Sequence, residues 1–210
     1  MKKILLPLAV VALLAPMARA QQGVVEPIIK SYAKVNDLSA RFVQVSTAKA
    51  AELEKTSGGK VFIKRGGKMR WEYEGDDPQV IVSDGKTLWF HQVRDRTALK
   101  KKMEELSPSV RVALDLIEGL DRAEEYFTVS SCGEGCAALA PIKADPDLKR
   151  LVVNFDGGGT ITGVTTENVL GNSTRVTFSE IKKNSAIKDN LFDFKPPRGV
   201  EIVEGDGEEQ

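Results

Sequence analysis

The stretch Lys68–Glu74, KMRWEYE, alternates without a break. Met69, Trp71 and Tyr73 fall on one side; Lys68, Arg70, Glu72 and Glu74 fall on the other. Successive strand side chains point to opposite faces, so this is a strand with one apolar and one wet face. The next stretch, Pro78–Phe90 (PQVIVSDGKTLWF), predicts a hairpin around Asp84-Gly85 but does not alternate. Val80, Ile81 and Val82 run together, as do Leu88, Trp89 and Phe90. Both faces of this hairpin are apolar, and each needs a cover.

Further strands are predicted at ARFVQVSTA, GKVFIKR, YFTVSS, CAALAPI, RLVVNFD, TITGVTTENVL and STRVTFSEI, with LFDFKPPRGVEIV as a late extended segment. Helical spacing recurs in two places. Val25, Ile28, Ile29 and Tyr32 share a helical face, and Pro27 suits a first turn. Ser107 is a good N-cap followed by Pro108, opening a helix that runs to about Leu120. In that second helix Arg111, Asp115 and Glu118 form a narrow polar stripe, and apolar residues cover the rest. Such a helix is itself covered on most sides, or it covers something apolar. The pattern predicts one α+β domain, a large antiparallel sheet with helices against it. No repeat or linker divides it.

The first twenty residues change the compartment. Lys2 and Lys3, a short apolar run to Pro16, and Ala18-Arg19-Ala20 make the three parts of a secretory signal peptide, cleaved after Ala20. The run is short for a membrane span. The mature domain is expected over residues 21–203, with an acidic tail at 204–210. The full chain is formally neutral, and loss of three basic residues leaves the mature chain at −3. That balance speaks against nucleic acid as a partner. In an oxidising compartment Cys132 and Cys136, which flank Gly-Glu-Gly, favour a disulfide over two free thiols. With His91 as the one histidine, they make a poor zinc set, so neither metal nor cofactor is expected.

Catalytic chemistry has little to stand on. His91 ends an apolar strand with no aligned partner in the sequence. Gly157-Gly158-Gly159-Thr160 lacks the ending of a phosphate loop and reads as a hairpin turn. The basic run Arg94–Lys102 reads as a solvated loop, with a docking surface as the sharper alternative. An apolar concave face with helices over it suits either a dry core or a ligand cavity.

The order and spacing of SARFVQ, GKVFIKRGGKMRWEYEGDDPQVIVSDGKTLWF and LFDFKPPRGVEIV resemble the periplasmic lipoprotein carrier family, LolA. The likeness is strongest over residues 38–90 and again over 192–199, and loose over 100–149. The resemblance implies an incomplete, open antiparallel β-barrel whose helices cover the concave apolar face. It implies no covalent chemistry. The carrier would take the acyl chains of lipoproteins from an inner-membrane ABC transporter, LolCDE, and deliver them to an outer-membrane receptor, LolB, where one is present. It is expected to act as a monomer. The cavity is expected to be lined by Phe62, Met69, Trp71, Tyr73, Val80, Val82, Leu88, Phe90, Leu114 and Ile117.

Arg65 matches a family arginine associated with holding the lid shut. The family usually has proline next, but here Gly66-Gly67 follows. A two-residue turn would pair Arg65 with Lys68 and point it away from Met69; a longer turn would bring it inward. Two other classes stay open on sequence: a lipid-sensing or regulatory domain on the same fold, and an exported hydrolase. The export reading makes a direct prediction. Protein isolated from periplasm begins at Gln21 and gains two hydrogens in intact mass on reduction. N-terminal sequencing and mass spectrometry test the two parts separately.

Overall fold

The computed structural model describes residues 23–106 and 119–204. Twelve strands form one sheet: β1 (Asp37–Ala48), β2 (Leu53–Lys64), β3 (Lys68–Glu74), β4 (Gln79–Asp84), β5 (Thr87–Gln92), β6 (Thr97–Lys102), β7 (Phe127–Gly133), β8 (Cys136–Pro141), β9 (Arg150–Phe155), β10 (Ile161–Glu167), β11 (Ser173–Lys183) and β12 (Glu201–Glu204). Their spatial order is β12-β6-β5-β4-β3-β2-β1-β11-β10-β9-β8-β7. The first and last do not pair, so the barrel stays open. Every pairing is antiparallel except that of β12 with β6. Among the described residues there are two short helices, α1 (Glu26–Tyr32) and α2 (Ala123–Tyr126). The helix expected from Ser107 falls largely outside the described residues. No helix among them is long and apolar enough to cross a membrane.

Register explains the core. Phe42 lies opposite Phe178 and Gly59, Gly59 opposite Tyr73, and Trp71 opposite Val61 and Ile81. Opposed residues share a face. One continuous apolar row therefore runs across the concave side, from Phe90 through Trp71, Phe42 and Phe178 to Val153 and Leu139. At one end α1 fills the concavity: Ile28 and Tyr32 are buried there with Leu38, Ile63 and Ile161. The Tyr32 hydroxyl oxygen accepts the Ile161 N–H at 3.2 Å. Burial pushes this phenol up to about 12, so it stays neutral.

The convex face of the two-sided hairpin is covered by the chain itself. Residues 185–200 run across the outside of β2 to β5. Phe192 is buried, and the Phe194 ring lies 5.6 Å from Trp89 and 5.5 Å from His91. Lys64 donates to the Ile187 carbonyl at 2.8 Å and pairs with Asp189 at 2.7 Å; Lys68 reaches the same carboxylate at 3.3 Å. Hydrogen bonds from those two lysines hold the Asp189 carboxyl below its ordinary value. The tie is thus present above that ordinary value and weakens only as pH falls through the acid range. The strap returns at the β6 edge, where it adds β12 in parallel.

This arrangement corrects the reading of Arg94–Lys102 as a loop. Thr97–Lys102 is β6. Within it, Lys100 sits 5.7 Å over the Trp89 ring. Pairing on both sides, which no local pattern signals, makes it a strand. β12 also runs to Glu204, one residue into the expected tail.

The turn between β9 and β10 docks on α1. Gly159 has φ +77°, and a β-carbon there would run into the Pro27 carbonyl. Gly159→Ala should therefore destabilise the protein by about 1–3 kcal/mol. Gly157→Ala, with open space around it, should stay within about 0.5 kcal/mol of wild type. Urea unfolding midpoints at unchanged slope test the pair.

Candidate functional site

Beyond α1, no helix among the described residues fills the concave face. A cavity of about 360 Å³ lies between its two walls, a size that suits a ligand rather than a packing defect. One wall is Met69, Trp71 and Tyr73 of β3, Ile81 of β4, and Leu88 and Phe90 of β5. The facing wall is Val164 and Thr166 of β10 with Thr174, Val176 and Phe178 of β11. Gln44 of β1 and the loop residues Leu106, Asp147 and Leu148 complete it. Aromatic edges define the floor: Phe42 stands 4.9 Å from Trp71 and 5.0 Å from Tyr73, both edge-on.

Polar groups gather at the end away from α1. The Tyr73 hydroxyl donates to Gln44 Oε1 at 2.9 Å, and Gln44 Nε2 donates to Ser46 at 3.1 Å. Burial raises the Tyr73 phenol, so it remains a neutral donor. Among the described residues no buried side-chain polar atom lacks a hydrogen-bond partner. Thr166, Thr174 and Asp147 are the other polar residues of the lining. No group of three or more His, Cys, Asp or Glu among the described residues could hold a metal.

Of the residues expected at the cavity, Met69, Trp71, Tyr73, Leu88 and Phe90 line it. Phe62, Val80 and Val82 do not. Ser83 pairs with Leu88, which sets Ile81 opposite Phe90, Val82 opposite Trp89 and Val80 opposite His91. Phe62 pairs with Arg70, and Arg70 with Val82. All three therefore face the convex side under the strap. Grouping Val80 and Val82 with Leu88 and Phe90 is a one-residue parity error, and one residue is enough to exchange faces. Leu114 and Ile117 lie outside the described residues. The facing wall was missed, although Thr174, Val176 and Phe178 alternate plainly in STRVTFSEI.

Arg65 sits in a three-residue turn, because Lys64 pairs with Lys68. Freed from the ladder, its side chain turns towards α1. Nε donates to the Val35 carbonyl at 2.7 Å, and Nη2 to those of Tyr32 at 2.9 Å and Ala33 at 3.2 Å. Tyr32 and Ala33 form the C-terminal end of α1, where helices leave acceptors unpaired and carry partial negative charge, and Val35 lies in the link to β1. At the far edge of the sheet, a disulfide joins Cys132 to Cys136 across the β7–β8 turn, with Cα atoms 5.2 Å apart.

A family model described as "Outer membrane lipoprotein carrier protein LolA" matches residues 33–195. The chain belongs to the LolA family. An outer-membrane lipoprotein carrier protein of Chromobacterium violaceum is 30% identical over 98% of this chain and 100% of its own length. One of Dechloromonas aromatica is 29% identical over 91% and 92%. Among solved structures, a LolA superfamily protein of Nitrosomonas europaea superposes with a TM-score of 0.47 at 10% identity, covering 83% of this LolA-family chain and 98% of its own.

The facing assignment is testable with an apolar fluorescent probe. Ile81→Ser should weaken probe binding roughly tenfold, since a buried aliphatic side chain contributes about 1.5–3 kcal/mol. Val80→Ser, one residue away on the strap side, should leave it within about twofold. Equal losses would place the cavity elsewhere.

Proposed function

We propose that the chain is a periplasmic carrier that shields lipoprotein acyl chains between the inner and outer membranes. It is exported and cleaved after Ala20. It takes cargo from the inner-membrane transporter LolCDE and gives it to the outer-membrane receptor LolB where one exists. The observation that carries this reading is the apolar cavity of about 360 Å³ between two walls of one open sheet, in a chain of the LolA family. Each methylene buried there contributes about 0.8 kcal/mol. A hydrocarbon chain can be held in this way without polar recognition, and one carrier can serve many lipoproteins. The work is transfer without covalent change, so no catalytic group is needed.

A cavity that binds tightly must also let go. In this reading Arg65 is the latch. Its bonds to Tyr32, Ala33 and Val35 tie the β2–β3 turn to α1 and so favour the closed, empty state. A hydrogen bond to a charged group contributes about 1.5–3 kcal/mol, and three from one guanidinium do not add. The state that arginine favours is the one the carrier returns to on delivery, so latch closure helps drive cargo out.

Arg65→Leu removes this bias. Uptake of labelled lipoprotein from inner-membrane vesicles should persist, while transfer to acceptor membranes slows about tenfold or more. Arg70→Leu, whose guanidinium bonds Glu72 and the Leu191 carbonyl on the convex face, should keep both steps. A folded Arg65→Leu protein with wild-type rates at both steps would remove the latch.

A further inference from the structure

The turns at the end away from α1 carry a set of exposed large apolar side chains. Leu53 (66% exposed) begins β2 beside the β1–β2 turn; Val169 (58%) and Leu170 (74%) form the β10–β11 turn; Ile142 (58%) opens the β8–β9 loop. Single exposed aliphatics are ordinary. These are not scattered. The β1–β2 turn is tied to the β10–β11 turn, since Asn172 Oδ1 accepts the Lys49 N–H at 3.0 Å. Val169 shares one surface depression with Pro141, Pro146 and Leu148. Leu148 also lines the central cavity. One buried side chain, Leu148, thus stands between this surface depression and the cavity.

We propose that this end of the molecule inserts into the surface of a lipid bilayer, so that acyl chains pass between cavity and membrane without crossing water. The inference rests on the carrier reading for its purpose, but not for its physics. Two features favour a bilayer over a protein partner. The patch is a set of protruding tips, which an apolar liquid accommodates and a matched protein groove would have to mirror. The tip is also prepared to leave water. Asn168 N–H donates to the Asn172 carbonyl at 3.0 Å and Gly171 N–H to the Asn168 carbonyl at 3.0 Å. Leu170 and Asn172 N–H both donate to Asn168 Oδ1, at 3.1 and 3.0 Å. Four of the five backbone donors in the turn are satisfied within it, and unsatisfied donors are what hydrocarbon penalises. Lys49 lies along Gly171, where its stem can lie in the apolar layer while its ammonium reaches lipid phosphate.

The test is flotation of the full mature protein with vesicles of phosphatidylethanolamine and phosphatidylglycerol. Wild type should float with the vesicles, and Leu170→Asp should reduce the bound fraction roughly tenfold. Val43→Asp, on the exposed convex face, should float as wild type. As a second variant, Leu170→Cys carries an environment-sensitive dye, because the two native cysteines are bridged; its emission should shift to the blue on mixing with vesicles. The proposal is overturned if wild type stays with the soluble fraction, if Leu170→Asp floats equally well, or if the dye does not respond. Uptake of an acyl probe, measured in parallel, keeps the two readings apart. A chain that floats but takes up no probe overturns the carrier reading and leaves the membrane contact standing.

Discussion

The sheet depends on a close approach of two strands at Gly59. A β-carbon on Gly59 would collide with the Glu72 carbonyl, so the neighbouring backbone is closer there than any other residue allows. Glycine permits such an approach, and aromatic rings fill the space that its missing side chain leaves. Here Phe42 and Tyr73, opposite Gly59 on its two sides, meet edge-on at 5.0 Å.

The two ends of the concavity differ for a physical reason. At one end α1 buries Ile28 and Tyr32, the β9–β10 turn packs against Pro27, and Arg65 satisfies helix-end carbonyls. That end is a dry core held by directional bonds. At the other end no helix among the described residues fills the space, and the walls part around Gln44, Tyr73, Thr166 and Thr174. Of the polar residues there, Tyr73 and Gln44 bond each other.

The strap solves a separate problem. A curved sheet that is apolar on both sides would expose Val82 and Trp89 to water. Residues 185–200 cover them, and the buried Asp37 carboxylate accepts the strap's Ser185 N–H at 2.6 Å and Ile187 N–H at 3.3 Å. One short segment thereby protects the convex face and adds β12 to the β6 edge. Short added edges of this kind limit pairing with a second molecule.

Much of this was legible in the residues alone. Strict alternation identified β3 and its apolar side, because a period of two needs no partner to be recognised. The double apolar runs around Asp84-Gly85 showed that both faces of the hairpin need cover. Order and spacing from Leu38 to Phe90 were enough to suggest the carrier family, open barrel included. What tertiary structure decided was facing and partnership. Val80 and Val82 changed sides because parity across a hairpin follows from the ladder, and three consecutive apolar residues carry no parity of their own. β6 became a strand only through β5 and β12, which no local pattern encodes. Arg65 reached α1 because the Gly66-Gly67 turn took a third residue out of the ladder, a choice that depends on the pairing of whole strands. The far wall of the cavity came from strands about a hundred residues away in sequence, and only folding brings Val176 to face Trp71.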